Sequence, residues 1–142
     1  MSILLDTNVL SELLRERPEA AVPAWFGMQQ NHTLFVSAVT QAEMLLGARL
    51  LPAGKRRLAL ERAIGAMFDE DFGGRILPFE SGTVHAYAEI VSARRAAGKP
   101  IAQFDAQIAA IARQHGARLA TRNVADFHRC GVTLVNPWSA IR

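Results

Sequence analysis

Five short apolar runs, Ile3-Leu4-Leu5, Thr33 to Val36, Arg75 to Leu77, Ala117 to Ala120 and Val132 to Val135, are separated by helix-length segments, and this alternation narrows the possible folds more than any other feature. Such runs suit strands buried on both faces of a parallel sheet and joined by crossover helices. The intervening pattern predicts helices over Thr7 to Arg15, about Val39 to Leu51, Lys55 to about Phe68, about Ser81 to Ala97 and about Gln103 to Gln114, with a short helical turn near Asp126. Pro52 with Gly54, Gly98-Lys99-Pro100 and Gly116 supply the stops. The expected architecture is a three-layer α/β/α fold around a central five-stranded parallel sheet. No repeat, low-complexity tract or linker divides the 142 residues. A chain of this length buries roughly 70% of its unfolded surface, enough for one independent core spanning 1–142.

Composition excludes several classes. Cys130 is the only cysteine, so no internal disulfide forms, and the start Met-Ser-Ile-Leu-Leu-Asp lacks the basic and apolar regions of a secretory signal. Every apolar run is interrupted well before the roughly 20 residues that a membrane helix needs. A cytoplasmic protein is expected. Sixteen basic against thirteen acidic residues give a net charge of +3, which mildly favours a polyanionic partner. Lys55, Arg56, Arg57 and Arg62, then Arg94, Arg95 and Lys99, then Arg113, Arg118, Arg122 and Arg129 are candidate phosphate contacts, or else solvated helix faces.

Four carboxylates fall where strands end or helices begin. Helices of βαβ units start at the sheet edge formed by the C-terminal ends of the strands, which is where such sheets bind ligands. Asp6 directly follows Ile3-Leu4-Leu5 and is either a ligand or the N-cap of the next helix. Glu43 shares a helical face with Val39, Ala42, Leu46 and Leu50, and a carboxylate on an apolar stripe requires a metal, a proton or a cation such as Arg49 or Arg113. Asp105 stands in the first turn of its helix, where the dipole favours an acid in any case. Asp126 lies beyond the strand Ala117 to Ala120 and is a second cap or a fourth ligand.

Acids that converge repel one another unless a cation compensates. An all-oxygen set suits Mg²⁺ or Mn²⁺, whereas His32, His85, His115 and His128 are scattered, and His128 with Cys130 is no zinc set. Carboxylate-held magnesium typically also engages phosphate oxygens, which implies metal-assisted hydrolysis of a phosphate ester.

The stretches Leu4-Leu5-Asp6-Thr7-Asn8-Val9, Ser37 to Glu43, Asp105 to Ala110 and Thr121 to Phe127 resemble the four acidic motifs of PIN-domain nucleases, most closely the VapC and FitB toxins. The resemblance runs from Ile3 to Pro137-Trp138. It implies one PIN domain, a five-stranded parallel sheet, a Mg²⁺- or Mn²⁺-dependent endoribonuclease of a type II toxin-antitoxin pair, a homodimer, further assembly with a cognate antitoxin, and a bacterial cytoplasmic setting. It places catalytic, metal-binding roles on Asp6, Glu43, Asp105 and Asp126. Many PIN domains have a further aspartate where this chain has Asn123, whose amide oxygen can still hold a water. Thr121 can orient a water or phosphate, Asn8 can support Asp6, and Arg122 can contact substrate, although turn chemistry explains Asn8 as well.

Three other functions fit the same topology, of which a phosphoacceptor receiver domain would need an aspartate ending the third strand, where Ile76-Leu77-Pro78-Phe79 offers none. A metal-dependent phosphatase of the haloacid dehalogenase type carries Asp-x-Asp after the first strand, but the third position here is Asn8. A non-catalytic module would use the acid pocket to receive a basic peptide. In the toxin reading the same pocket accepts an antitoxin arginine, whose guanidinium pairs bidentately with carboxylates. Apolar side chains at Leu45, Leu46, Leu50, Leu51, Leu58, Leu60 and Ile64 serve core packing, or else dimer or antitoxin contacts.

Overall fold

The computed structural model describes residues 1–139. Strands β1 (Ile3–Leu5), β2 (Leu34–Ser37), β3 (Ile76–Leu77), β4 (Arg118–Ala120) and β5 (Leu134–Val135) form one sheet in the order β3-β2-β1-β4-β5, and every neighbouring pair is parallel. The expected fold is thus observed. The chain builds the sheet from β1 toward β3 and then returns to add β4 and β5 on the other side of β1. The switch point lies between β1 and β4, where an open α/β sheet leaves a crevice at the strands' C-terminal ends.

Side-chain alternation along β1 defines the layers. Ile3 and Leu5 enter one core with Val9, Leu10, Met44 and Phe68, while Leu4 enters the other with Ile90, Ile108 and Leu119. The helices are α1 (Thr7–Leu13), α2 (Ala21–Gly27), α3 (Ala38–Arg49), α4 (Lys55–Ala66), α5 (Val84–Ala96) and α6 (Gln103–Gln114). Residues of α1 to α4 supply the first core, and residues of α5 and α6 the second. Gly98 and Gly116 end α5 and α6 in left-handed geometry, with φ of 71° and 61°, which only glycine adopts freely. The expected helix near Ser81 opens as a tight 3-10 turn over Ser81–Thr83, and α4 widens into a π-type turn over Met67–Asp71.

Two expectations need correction. The sequence pattern missed α2, which contains Pro23. Pro23 sits in the first turn, where backbone N–H groups have no helical acceptor, so proline costs no bond there. Val22 and Trp25 of α2 are buried in the first core. The face of α3 was also misassigned. Its interior residues are Val39, Thr40, Met44 and Ala48, whereas Leu46 and Leu50 are 54% and 75% exposed. Glu43 therefore does not sit on a buried apolar stripe.

Candidate active site

Asp6 emerges where β1 ends and is 4% exposed. One carboxylate oxygen accepts the Thr7 backbone N–H at 2.8 Å, capping α1, and the other accepts the Thr121 hydroxyl at 2.8 Å. The N-cap of α1 is thus observed, and the second oxygen of the same carboxylate is held from beyond β4. The Thr121 contact crosses the switch point, since Thr121 directly follows β4, and the Asp6 backbone N–H also bonds to the Ala120 carbonyl at 2.9 Å. The Thr121 hydroxyl oxygen additionally accepts the Asn8 side-chain amide at 3.3 Å and the Asn123 backbone N–H at 3.1 Å. Asn8 in turn accepts the Arg122 backbone N–H at 3.4 Å. This network fixes the two strand ends against each other.

Among the described residues Glu43 forms no ion pair with an arginine. The Thr7 hydroxyl, beside Thr40 at 3.0 Å, donates to Glu43 at 2.8 Å. Arg49 pairs instead with Glu61, and Arg113 with Glu89. Asp6, Asn8, Glu43, Asp105, Arg122 and Asn123 all line one cavity of about 480 Å³, together with Thr7, Ser11, Glu12, Arg15 and Trp138. Asp126 is exposed in the 3-10 turn Val124–Phe127 and does not line that cavity, but its charge is felt by both Asp6 and Asp105. The structure thus brings three of the four acids to one wall and leaves the fourth beside it.

The electrostatics mark these acids as uncompensated. Burial raises the pKa of Asp6, against the lowering effect of its two hydrogen bonds, and the charges of Glu43 and Asp126 add to the rise. Asp105 is pushed up to about 6, first by burial and then by Asp6, Asp126 and Glu43, with Arg94 acting in the opposite sense. Among the described residues no lysine, arginine or histidine forms an ion pair with Asp6, Glu43, Asp105 or Asp126. The donors suit a hard dication in kind. Among the described residues no three acids, histidines or cysteines stand close enough to cage an ion by themselves. Magnesium does not require a cage, because it is commonly held by one or two carboxylates and keeps several waters for substrate oxygens to replace.

The basic residues divide differently from expectation. Arg94 is 7% exposed and turned inward, so it is not available to a phosphate. Arg57 and Arg113 are engaged with Glu61 and Glu89. Arg122 stays at the cavity, its guanidinium 5.2 Å from the Trp138 ring centroid and 3.6 Å from Glu19. All four histidines are exposed. The sequence pattern did not single out Thr7, Ser11, Glu12, Arg15 or Trp138 as wall residues. Thr7 was the most accessible of these, as the neighbour of Asp6 at a helix start.

The PIN domain family profile matches residues 3–131. The chain is 40% identical over 136 residues to VapC ribonuclease Y4jK of Sinorhizobium fredii, covering 96% of this chain and 97% of the relative. It is 42% identical over 136 residues to toxin FitB of Neisseria gonorrhoeae, covering 96% and 98%. The crystal structure of FitAcB from Neisseria gonorrhoeae superposes with a TM-score of 0.90 at 42% identity, covering 96% of this chain and 99% of that one. FitAB bound to an IR36 DNA fragment gives a TM-score of 0.89 at 43% identity, covering 96% and 95%. With a five-stranded parallel sheet whose switch-point crevice is lined by acids, and with relatives of this identity along its length, the chain belongs to the PIN-domain family, on the branch of the VapC and FitB toxins.

Proposed function

We propose that this chain is the ribonuclease toxin of a toxin-antitoxin pair and that it hydrolyses RNA phosphodiester bonds at the cavity lined by Asp6, Glu43 and Asp105. Support comes from one observation above all: a buried Asp6 and a half-buried Asp105 with no cationic partner among the described residues, at the sheet's switch point of a chain 40% identical to a VapC ribonuclease. Asp6 and Asp105 would hold Mg²⁺ or Mn²⁺, with Glu43 and Asp126 completing the negative field. When bound, the ion supplies Lewis-acid chemistry, acidifying water and offsetting the charge that grows on the phosphoryl oxygens. The chain's own contribution is orientation. Thr121 holds one oxygen of Asp6 and the α1 backbone holds the other, so the carboxylate cannot rotate away when substrate enters. Thr7 performs the same task for Glu43. Asn123, beside them on the wall, offers a neutral amide to water or phosphate where a further aspartate would add repulsion.

The partner is an antitoxin, as in the FitAB and VapBC complexes among the structural relatives. A second cavity of about 310 Å³, lined by Leu14, Met44, Ala48, Leu60 and Ile64, shares Thr7, Ser11, Arg15 and Glu43 with the first. An apolar antitoxin segment seated there would carry an arginine to the acids and inhibit by occupancy. Exposed Leu46, Leu50 and Leu58 suit contacts within a homodimer or with the antitoxin. The relatives are bacterial, and no helix among the described residues is long and apolar enough to cross a membrane.

End-group analysis of the cleaved RNA tests the chemistry. Attack by water leaves a 5′-phosphate and a 3′-hydroxyl, whereas 2′,3′-cyclic phosphate ends would show attack by the ribose and refute the mechanism.

A further inference from the structure

Arg94 is a buried charge without a carboxylate partner among the described ion pairs, and its hydrogen bonds reach the turn that carries Asp126. On α5, its Nε donates to the Lys99 carbonyl at 2.6 Å, and its Nη1 donates to the carbonyls of Asp126 at 2.7 Å and His128 at 3.0 Å. The Cys130 sulfur lies 3.7 Å from the same nitrogen. Lys99 belongs to the loop that leads into α6, whose first turn carries Asp105, and Asp126 and His128 belong to the turn that follows β4. One guanidinium thus bonds the loop after α5 to the turn after β4; that turn bears Asp126, and the loop leads into the helix whose first turn bears Asp105.

The choice of arginine has a physical reason. Desolvating a cation is costly unless it is hydrogen-bonded and lies in a compensating field. The planar fork presents several N–H groups at fixed angles, so it satisfies three carbonyls at once, whereas a lysine ammonium offers a single point of attachment. The compensating negative field comes from across the turn, since the charge of Arg94 acts on Asp105.

We infer that Arg94 is a positioning residue of the acid site, tying the loop before Asp105 to the turn of Asp126 and so fixing where these two carboxylates stand toward a dication. The inference rests on the proposed metal site. Groups that orient metal-binding carboxylates from behind typically contribute 10–100-fold in metal affinity.

The test compares wild type with Arg94→Lys and Arg94→Met. Calorimetric titration with Mn²⁺ alone is expected to show affinity about 10–100-fold weaker in the variants. The kcat for RNA cleavage should drop while KM changes little, and the amides of Asp126 and His128, which bond to the Asn123 and Ala125 carbonyls, should exchange faster with solvent. A role confined to stability would lower the melting temperature but leave Mn²⁺ affinity, kcat and amide exchange of the folded protein at wild-type values, and that result overturns the inference. If Arg94→Met does not fold, Arg94→Lys decides by the same readouts. Wild-type protein that neither bound Mn²⁺ nor cleaved RNA would sink the proposed function and this inference together, whereas wild-type binding and cleavage matched by Arg94→Lys would sink the inference alone.

Discussion

Glu12 and Asp6 line the same cavity and are equally buried, at 5% and 4% exposed, yet their carboxylates behave in opposite ways. Glu12 accepts the Glu19 backbone N–H at 3.0 Å and pairs with Arg15 at 3.2 Å. The backbone bond, more than the arginine, holds its pKa below the usual carboxylate value despite burial. Asp6 has hydrogen bonds but no cation, and burial pushes it the other way. Burial alone therefore does not identify a functional acid. Glu12 closes the chain between α1 and α2 and is electrostatically complete, while the described residues supply no ion-pair partner for Asp6.

The comparison predicts a double dissociation. Asp6→Asn and Asp105→Asn should reduce RNA cleavage to background, the largest effect, while leaving the metal-free fold at least as stable, because a repelling charge is removed. Steady-state cleavage assays and thermal melts check both halves, and a fully active Asp6→Asn protein would show that Asp6 is a second Glu12. Thr121→Val comes next: it deletes the hydroxyl that holds Asp6, and Mn²⁺ affinity by calorimetry should fall about 10–100-fold, at a stability cost of about 1 kcal/mol. Glu12→Gln should do the reverse of Asp6→Asn, lowering the melting temperature by a few degrees while cleavage by the folded protein stays within a few-fold of wild type.

The smallest effect is in the pH dependence. Asp105 titrates at about 6 in the folded chain against 3.8 for an unperturbed aspartate. Folded protein therefore binds its proton first on acidification, and the metal-free melting temperature should rise modestly as pH falls from about 7 toward about 5. Asp6, whose pKa is also raised, acts in the same direction, and Glu12 opposes only below its usual value of 4.5, so that window reports the unpaired acids. Saturating Mn²⁺ should reverse the slope, because metal binding requires the ionised carboxylate. Melts in chelator and in Mn²⁺ measure it, and a metal-free melting temperature that fell across the window would remove Asp105 from the unpaired class.

Where sequence reading succeeded, it relied on local signals. Gly98 and Gly116 stop α5 and α6 as expected, and the buried runs at β1 and β4 lie where periodicity placed them. Asp6, Glu43 and Asp105 share a cavity wall, but Asp126 stands outside it. The local signals misled where orientation depended on neighbours. The helical wheel of α3 placed Glu43 among apolar residues, yet α3 buries the side bearing Val39, Thr40 and Met44, and its Leu45 and Leu46 face solvent. Arg94, Arg95 and Lys99 read as one basic cluster, although Arg94 is inside the protein.

The amino-acid order by itself determined the alternation of strands and helices and the delivery of acids to one edge of the sheet, because periodicity, capping and turn chemistry act over a few residues. Only the tertiary structure decided which acids share a cavity, which already have a partner, and which arginine supports them. Those outcomes depend on contacts such as Asp6 with Thr121, 115 residues apart, and Arg94 with Asp126, 32 residues apart. No local pattern encodes such contacts, since they form only when the folded sheet brings its strand ends together.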